Sequence, residues 1–270
     1  MGKSVLVASI VALLFPLAAC GQTEVTSNIL DSITWTTGGS PYLLSGTIRV
    51  RNSSTLSIDP GVEVRFKTQL PRAQLETDAG SSIVAVGTAG DSIVFTSDSA
   101  TPLAGDWGAV MVFASSGSRF AHCAFRYGYQ ALYYNTSGKP LDTDVDLCTF
   151  ENCVVGMNIV SSSPDVKRTS FLYSSTNVVC RNSDSEPTFW HCNFLPSRYG
   201  ENITLQYYPS AAEIDARFCW WGSDQPGDIA YSIYDGNDDH GVHGFVLYEP
   251  YLTETPVTRS SWGAIKSLFR

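Results

Sequence analysis

The feature that most constrains this chain is a six-residue pattern that recurs five times in its second half. An apolar residue is followed by two free positions, Cys or Thr, one free position and a large aromatic. It reads Phe120-x-x-Cys123-x-Phe125, Val145-x-x-Cys148-x-Phe150, Val166-x-x-Thr169-x-Phe171, Phe189-x-x-Cys192-x-Phe194 and Ala216-x-x-Cys219-x-Trp221. The aromatic positions lie 25, 21, 23 and 27 residues apart. Self-similarity at this period marks stacked supersecondary units, each able to bury its apolar face only against its neighbours.

Within a copy, the Cys or Thr and the aromatic alternate at period two, so both point to the same face of a strand. The three-residue step before them breaks that alternation and predicts a corner between two sheets. Equivalent residues of successive turns then stack at a strand spacing of about 4.8 Å, forming columns inside the solenoid.

The first half has the same character. Thr47-Ile48-Arg49-Val50, Thr55-Leu56-Ser57-Ile58 and Val62-Glu63-Val64-Arg65-Phe66 alternate as strands, separated by Asn52-Ser53-Ser54 and Asp59-Pro60-Gly61 turns. Ser82 to Gly87 and Ser92 to Thr96 continue the style, and Leu56 to Ile83 spans 27 residues. The expected fold is all-β: a single-stranded, right-handed parallel β-helix over residues 35–252, with a short C-terminal helix or cap. Helical periodicity is confined to the last residues, where Trp262, Ile265, Leu268 and Phe269 share one face. Residues 253–270 are therefore read as a tether plus amphipathic helix, with Lys266 and Arg270 suiting its C-terminal dipole. It is expected to cap the last coil or to dock on an envelope partner.

Residues 1–19 are expected to be a signal peptide, and 20–34 an N-terminal tether. Lys3 precedes an apolar run from Val5 to Leu17 that is too short to span a bilayer. The run ends in Leu17-Ala18-Ala19-Cys20, which resembles the bacterial lipobox, with an ordinary signal peptide cleaved at an Ala-x-Ala-like site as the alternative. That resemblance implies lipidation of Cys20 and partnership with a membrane through the acyl chains. Gly21-Gln22 follow, without the Asp that holds enterobacterial lipoproteins at the inner membrane. The expected location is the cell envelope, at the outer membrane, facing periplasm or cell surface.

The formal charge is −9, and loss of residues 1–19 removes Lys3 alone, taking the mature chain to −10. An acidic surface repels phosphate backbones, so no nucleic-acid partner is expected. Cys20 apart, six cysteines remain. Cys123, Cys148, Cys192 and Cys219 share a column and suit small buried hydrophobes better than a thiolate metal site, whose ligands must converge on one ion. A bridge between neighbouring rungs such as Cys123–Cys148 stays open, as does pairing of Cys153 with Cys180.

Ile48 to Phe66, Ile93-Val94-Phe95-Thr96-Ser97 through Gly105-Asp106-Trp107-Gly108, and Cys219-Trp220-Trp221-Gly222 through Pro250-Tyr251-Leu252 together resemble bacterial extracellular right-handed β-helix repeat proteins of the pectin-lyase-like superfamily. The resemblance spans about residues 35–252. It implies the fold strongly and the activity weakly, since the superfamily holds lyases, glycosidases, adhesins and other surface proteins.

Candidate sites are few. In Asp235-Gly236-Asn237-Asp238-Asp239-His240-Gly241, the alternate oxygens of Asp235, Asn237 and Asp239 could gather Ca²⁺, although the fit to an EF-hand loop is incomplete and a solvated turn is the simpler reading. No other cofactor is expected. Polygalacturonase-type hydrolases carry Asp-Asp, Gly-His-Gly and Arg-x-Lys motifs on successive coils. Here Asp238-Asp239 and Gly241-Val242-His243-Gly244 are compressed into one loop, which itself holds no Arg-x-Lys. Pectate lyases need a carboxylate nest for Ca²⁺ with an arginine base on the next rung; Asp142, Asp144, Asp146 and Arg168 are the nearest equivalent. His122 and His191, three coils apart, cannot share an ion. Trp190, Tyr134, Tyr207 and Trp220 are the candidates for lining one flank of the solenoid and binding sugar rings. The resulting expectation is a non-catalytic module that binds an extended ligand, a polysaccharide first, or that makes contacts with an envelope protein. The rival readings are a polysaccharide lyase or glycoside hydrolase, and a purely structural spacer.

Overall fold

The computed structural model describes residues 21–114, 117–135, 144–182, 184–198 and 200–256, with Asp144 described by its backbone alone. Cys20 and the leader, Asp142, and the predicted C-terminal helix lie outside the described residues. Three parallel sheets form the walls of a solenoid: sheets A and B have eight strands each and sheet C has nine. The chain visits A, B and C in turn. One coil runs through Cys123–Arg126 in A, Gln130–Asn135 in B and Asp144–Asp146 in C, then re-enters A at Thr149–Glu151. The result is a right-handed parallel β-helix, the hand expected of parallel crossovers.

The ladders start ahead of the boundary expected at residue 35. Thr23–Val25 pairs with Tyr42–Leu44, and Ile33–Trp35 pairs with Thr55–Ile58. Both strands are only three residues long, too short for an alternation signal to stand out of the sequence. At the far end Gly244–Leu247 pairs with Ala212–Asp215, and a six-residue helix, Pro226–Tyr231, decorates the last turn. No helix among the described residues is long and apolar enough to cross a membrane.

The corners explain the three-residue step in the repeat. His122, Leu147, Arg168, His191 and Phe218 each occupy the position before the Cys or Thr, with φ of 49°, 52°, 46°, 53° and 56°. One left-handed residue turns the chain from sheet C into sheet A. Tyr127, Asn152 and Tyr173 do the same between A and B, at φ of 65°, 53° and 54°. A left-handed non-glycine residue costs about 1–2 kcal/mol. The cost is offset by hydrogen bonds from corners to the next coil: His122 N–H to Asp146 O at 3.1 Å, Leu147 N–H to Lys167 O at 3.1 Å, Arg168 N–H to Trp190 O at 2.9 Å.

With the corners in register, the repeat positions become columns. The rings of Phe95, Phe125, Phe150, Phe171, Phe194 and Trp221 form one stack, with centroid steps of 4.7, 4.8, 5.1, 5.1 and 4.6 Å. Phe95 extends the column one coil ahead of the five copies visible in the sequence. Phe120, Val145, Val166 and Phe189 form the adjoining column, with the phenylalanines packing edge-on against the stack. Gly156 is pressed against it: a Cβ there would meet the Asn177 carbonyl oxygen at 2.6 Å and the side chains of Phe150 and Phe171 at 3.3 Å.

The six described cysteines are all buried and free. Each column thiol donates to a carbonyl of the coil beneath: Cys123 to Ala85 at 3.3 Å, Cys148 to Phe120 at 3.6 Å, Cys192 to Val166 at 3.4 Å and Cys219 to Phe189 at 3.5 Å. Thr169 occupies the same column with a hydroxyl that donates to Lys167 O at 2.9 Å. Cys153 follows the left-handed Asn152 and plays this role at the A/B corner, its thiol on Phe125 O at 3.7 Å. Cys180 instead lies in sheet B between Ile159 and Leu205. The Cys153–Cys180 and Cys123–Cys148 bridges are therefore not formed, and each thiol serves a separate packing position. Burial pushes the Cys153 thiol up to about 12 and raises Cys123, Cys180 and Cys219 as well, which removes them as nucleophiles or thiolate ligands.

Two substitutions test the column. Phe150→Ala removes a ring stacked on both sides and should cost about 3–5 kcal/mol. Thr169→Cys places the commoner column residue at its own position and should change stability by less than about 1 kcal/mol. Chemical denaturation of both variants measures the difference, and equal losses would contradict the column's division of labour.

Candidate functional site

The predicted aromatic residues do not share a flank. Trp190 stands on the outer face of sheet C opposite Lys167 and is 45% exposed. Its ring is stacked on His191 at 4.8 Å and tilted against Phe218 at 4.9 Å, so protein already covers much of it. Trp220 is half-buried and bridges Asn193 of sheet A. Tyr207 is the left-handed corner residue, φ 60°, that ends the sheet B strand Ile203–Gln206, and it is 75% exposed. Tyr134 is a correction: it is fully buried, facing inward between Val112 and Ile159. Period-two alternation turns Tyr133 outward and Tyr134 in, and the adjacent pair in sequence did not show which. Tyr208, next to Tyr207, is likewise buried, its hydroxyl donating to Ser185 O at 2.8 Å.

The acidic loop is organised around backbone N–H groups. Asp235 is buried, and its carboxylate accepts N–H groups from Asn237 at 2.8 Å and Val246 at 2.9 Å. Asp239 accepts the Gly241 N–H at 2.8 Å and the Tyr234 hydroxyl at 3.1 Å. These oxygens hold the turn shut, where a calcium loop would point them together at an ion. Among the described residues, no group of three or more His, Cys, Asp or Glu is gathered for a metal.

Arg168 lies one coil from Asp146, as the lyase comparison requires, but the two are bound to each other. The guanidinium grips both carboxylate oxygens, with Nε to Oδ1 at 2.9 Å. That hydrogen bonding raises the arginine pKa above its ordinary value. A general base needs the opposite shift. His122 and His191 are corner residues three coils apart, as expected.

Sequence reading missed the arrangement at the last coil. An open groove of about 570 Å³ crosses the outer face of sheet B, lined by Glu201, Thr204, Gln206, Tyr207, Tyr234 and Asp239. Thr204 donates to Glu201 Oε2 at 2.8 Å. Asp239 raises the pKa of the Tyr234 hydroxyl, with smaller contributions from Asp238 and Glu201. The Gly241 N–H, followed by Tyr234, holds Asp239 below the usual carboxylate range. Beyond the last rung a second hollow of about 500 Å³ is bordered by Tyr231, Ile233, Asp235 and Tyr248. Tyr231, 85% exposed, ends the short helix, whose Pro226 sets the first turn and whose buried Ile229 pins it. The meeting of Tyr207 and Tyr234 in one groove depends on a return loop whose course no local pattern announces. Chemically, the groove offers exposed ring faces, hydroxyls, an amide and two carboxylates, which suits polar recognition.

Asp235→Ala should lower the unfolding midpoint with or without a calcium chelator, and the parent should unfold identically in both. A midpoint in the parent that rises with added Ca²⁺ would restore the loop as a metal site.

Residues 27–119, 93 of the 270, match the family described as "Pectate-lyase like beta helix domain". No curated protein and no solved structure gives a significant match. The matched segment covers the first coils, and the same three ladders continue without interruption of type to Leu247; the chain is a parallel β-helix whose first coils are similar to that family.

Proposed function

We propose that this protein is a non-catalytic cell-envelope lipoprotein whose β-helix binds a glycan chain in the groove on its last coil. Tyr207 carries the reading. It is 75% exposed at the edge of a groove that also presents the hydrogen-bonding side chains of Glu201, Thr204, Gln206, Tyr234 and Asp239. Sugar rings pack their C–H faces on aromatic rings, while their hydroxyls need closely placed polar partners. A groove open along a solenoid flank admits a polymer, where a closed pocket would admit only its end. The ion-paired Arg168 and the raised thiols weigh against catalysis. The family match favours a second reading, polysaccharide cleavage. A structural spacer would need no groove.

The mature chain without its acyl group, screened against a glycan array, should bind without releasing shortened products, and Tyr207→Ala should weaken the best hit about tenfold or more. Release of shortened oligosaccharides would establish the enzyme reading, and a blank array would move the assignment to the spacer.

Membrane attachment and outer-membrane location rest on the lipobox-like Leu17-Ala18-Ala19-Cys20. Cells fed an alkyne fatty acid should label the full-length protein and not Cys20→Ala; an unlabelled parent protein would overturn the anchor.

A further inference from the structure

The family resemblance directs attention to polyuronates, chains that carry one carboxylate per sugar. The charges of this molecule point elsewhere. Two of the six groove residues discussed above, Glu201 and Asp239, are carboxylates, and no Lys or Arg lines the groove among the described residues. Asp238 adds a third negative charge close enough to act on Tyr234. Arg181, one rung below, has its Nε held by Gln206 Oε1 at 3.0 Å.

Several cations elsewhere on the described surface pair with acidic neighbours. Arg49 pairs with Glu76 at 2.7 Å, Arg51 with Asp78 at 2.7 Å, Arg126 with Glu151 at 3.2 Å and Arg217 with Asp215 at 2.7 Å. Lys167 pairs with Asp165, and Arg168 with Asp146. A net charge of −9 then sets the sign of the field that an approaching polymer meets.

Resting on the glycan-binding reading, we propose that the groove selects sugar chains that are neutral or carry amino groups, and rejects polyuronates. Like charges placed across an interface penalise the wrong partner and so contribute to specificity. Glu201 and Asp239 can accept hydrogen bonds from sugar hydroxyls or from a ring ammonium. Neither can face a uronate carboxylate without a bridging cation, and the Asp235 loop spends its oxygens on its own backbone.

Calorimetric titration of the mature chain with equal-length oligomers of glucosamine, N-acetylglucosamine and galacturonate tests this at low salt. The glucosamine oligomer should bind at least about tenfold more tightly than the galacturonate one. Added salt should weaken glucosamine binding and leave the N-acetylated oligomer nearly unchanged. Glu201→Gln should narrow the preference, and the salt series reads the same electrostatics if that variant does not fold. Galacturonate binding as tightly as glucosamine, and lost in Tyr207→Ala, would overturn the charge selection while leaving the groove a glycan site. Failure of all three oligomers to bind would remove the glycan reading and the inference with it.

Discussion

Each coil of this solenoid must come back one strand spacing above the last, and a single residue in the left-handed region at each corner achieves that return. The corners are occupied by His, Leu, Arg, Tyr, Asn and Phe where glycine would be the unstrained choice. Their strain is tolerated because each turn hydrogen-bonds to the turn above, so no corner can relax without breaking its neighbour's pairing. Register follows from this closure. Once the corners superpose, the ring stack from Phe95 to Trp221 and the thiol column aligned beside it have only one way to pack.

The columns divide two tasks. Stacked rings fill the interior at centroid steps close to the strand spacing, and so contribute burial and favourable ring geometry together. Small Cys, Thr and Ser residues sit where the chain has just turned, and their thiols or hydroxyls satisfy carbonyls that the corner leaves exposed to the interior. The thiols are structural hydrogen-bond donors with raised pKa values. They do not form a reactive set, despite an even count that would also permit disulfides.

Much of this was legible in the residues because the interior of a solenoid is selective at every rung. Phe150, Cys148 and Val145 recur as a unit since each meets an equivalent neighbour above and below. Tyr134 shows where such reading ends: Tyr133 and Tyr134 are chemically alike, and only the pleat decides which is inside. Phe95 was missed because its coil lacks the Cys-x-aromatic wording, with Ile93 in the Cys place. The first two strands were missed because three residues cannot display a period.

The groove was the least legible part. Tyr207, Glu201 and Asp239 lie on turns and loops and Tyr234 on the short strand Ile233–Tyr234, and their grouping on sheet B arises from the corner at Tyr207 and the return loop after that strand. By itself the sequence determined the repeat, the parallel stacking, the inward columns and the acidic charge, because those depend on residue type repeated at a fixed interval. Only the tertiary structure decided which aromatics face water, that Trp190, Tyr207 and Trp220 belong to three different faces, and that the acidic loop folds onto its own N–H groups. Those outcomes depend on the angle through which each corner turns the chain, a property of backbone geometry that residue identities outside the columns leave unspecified.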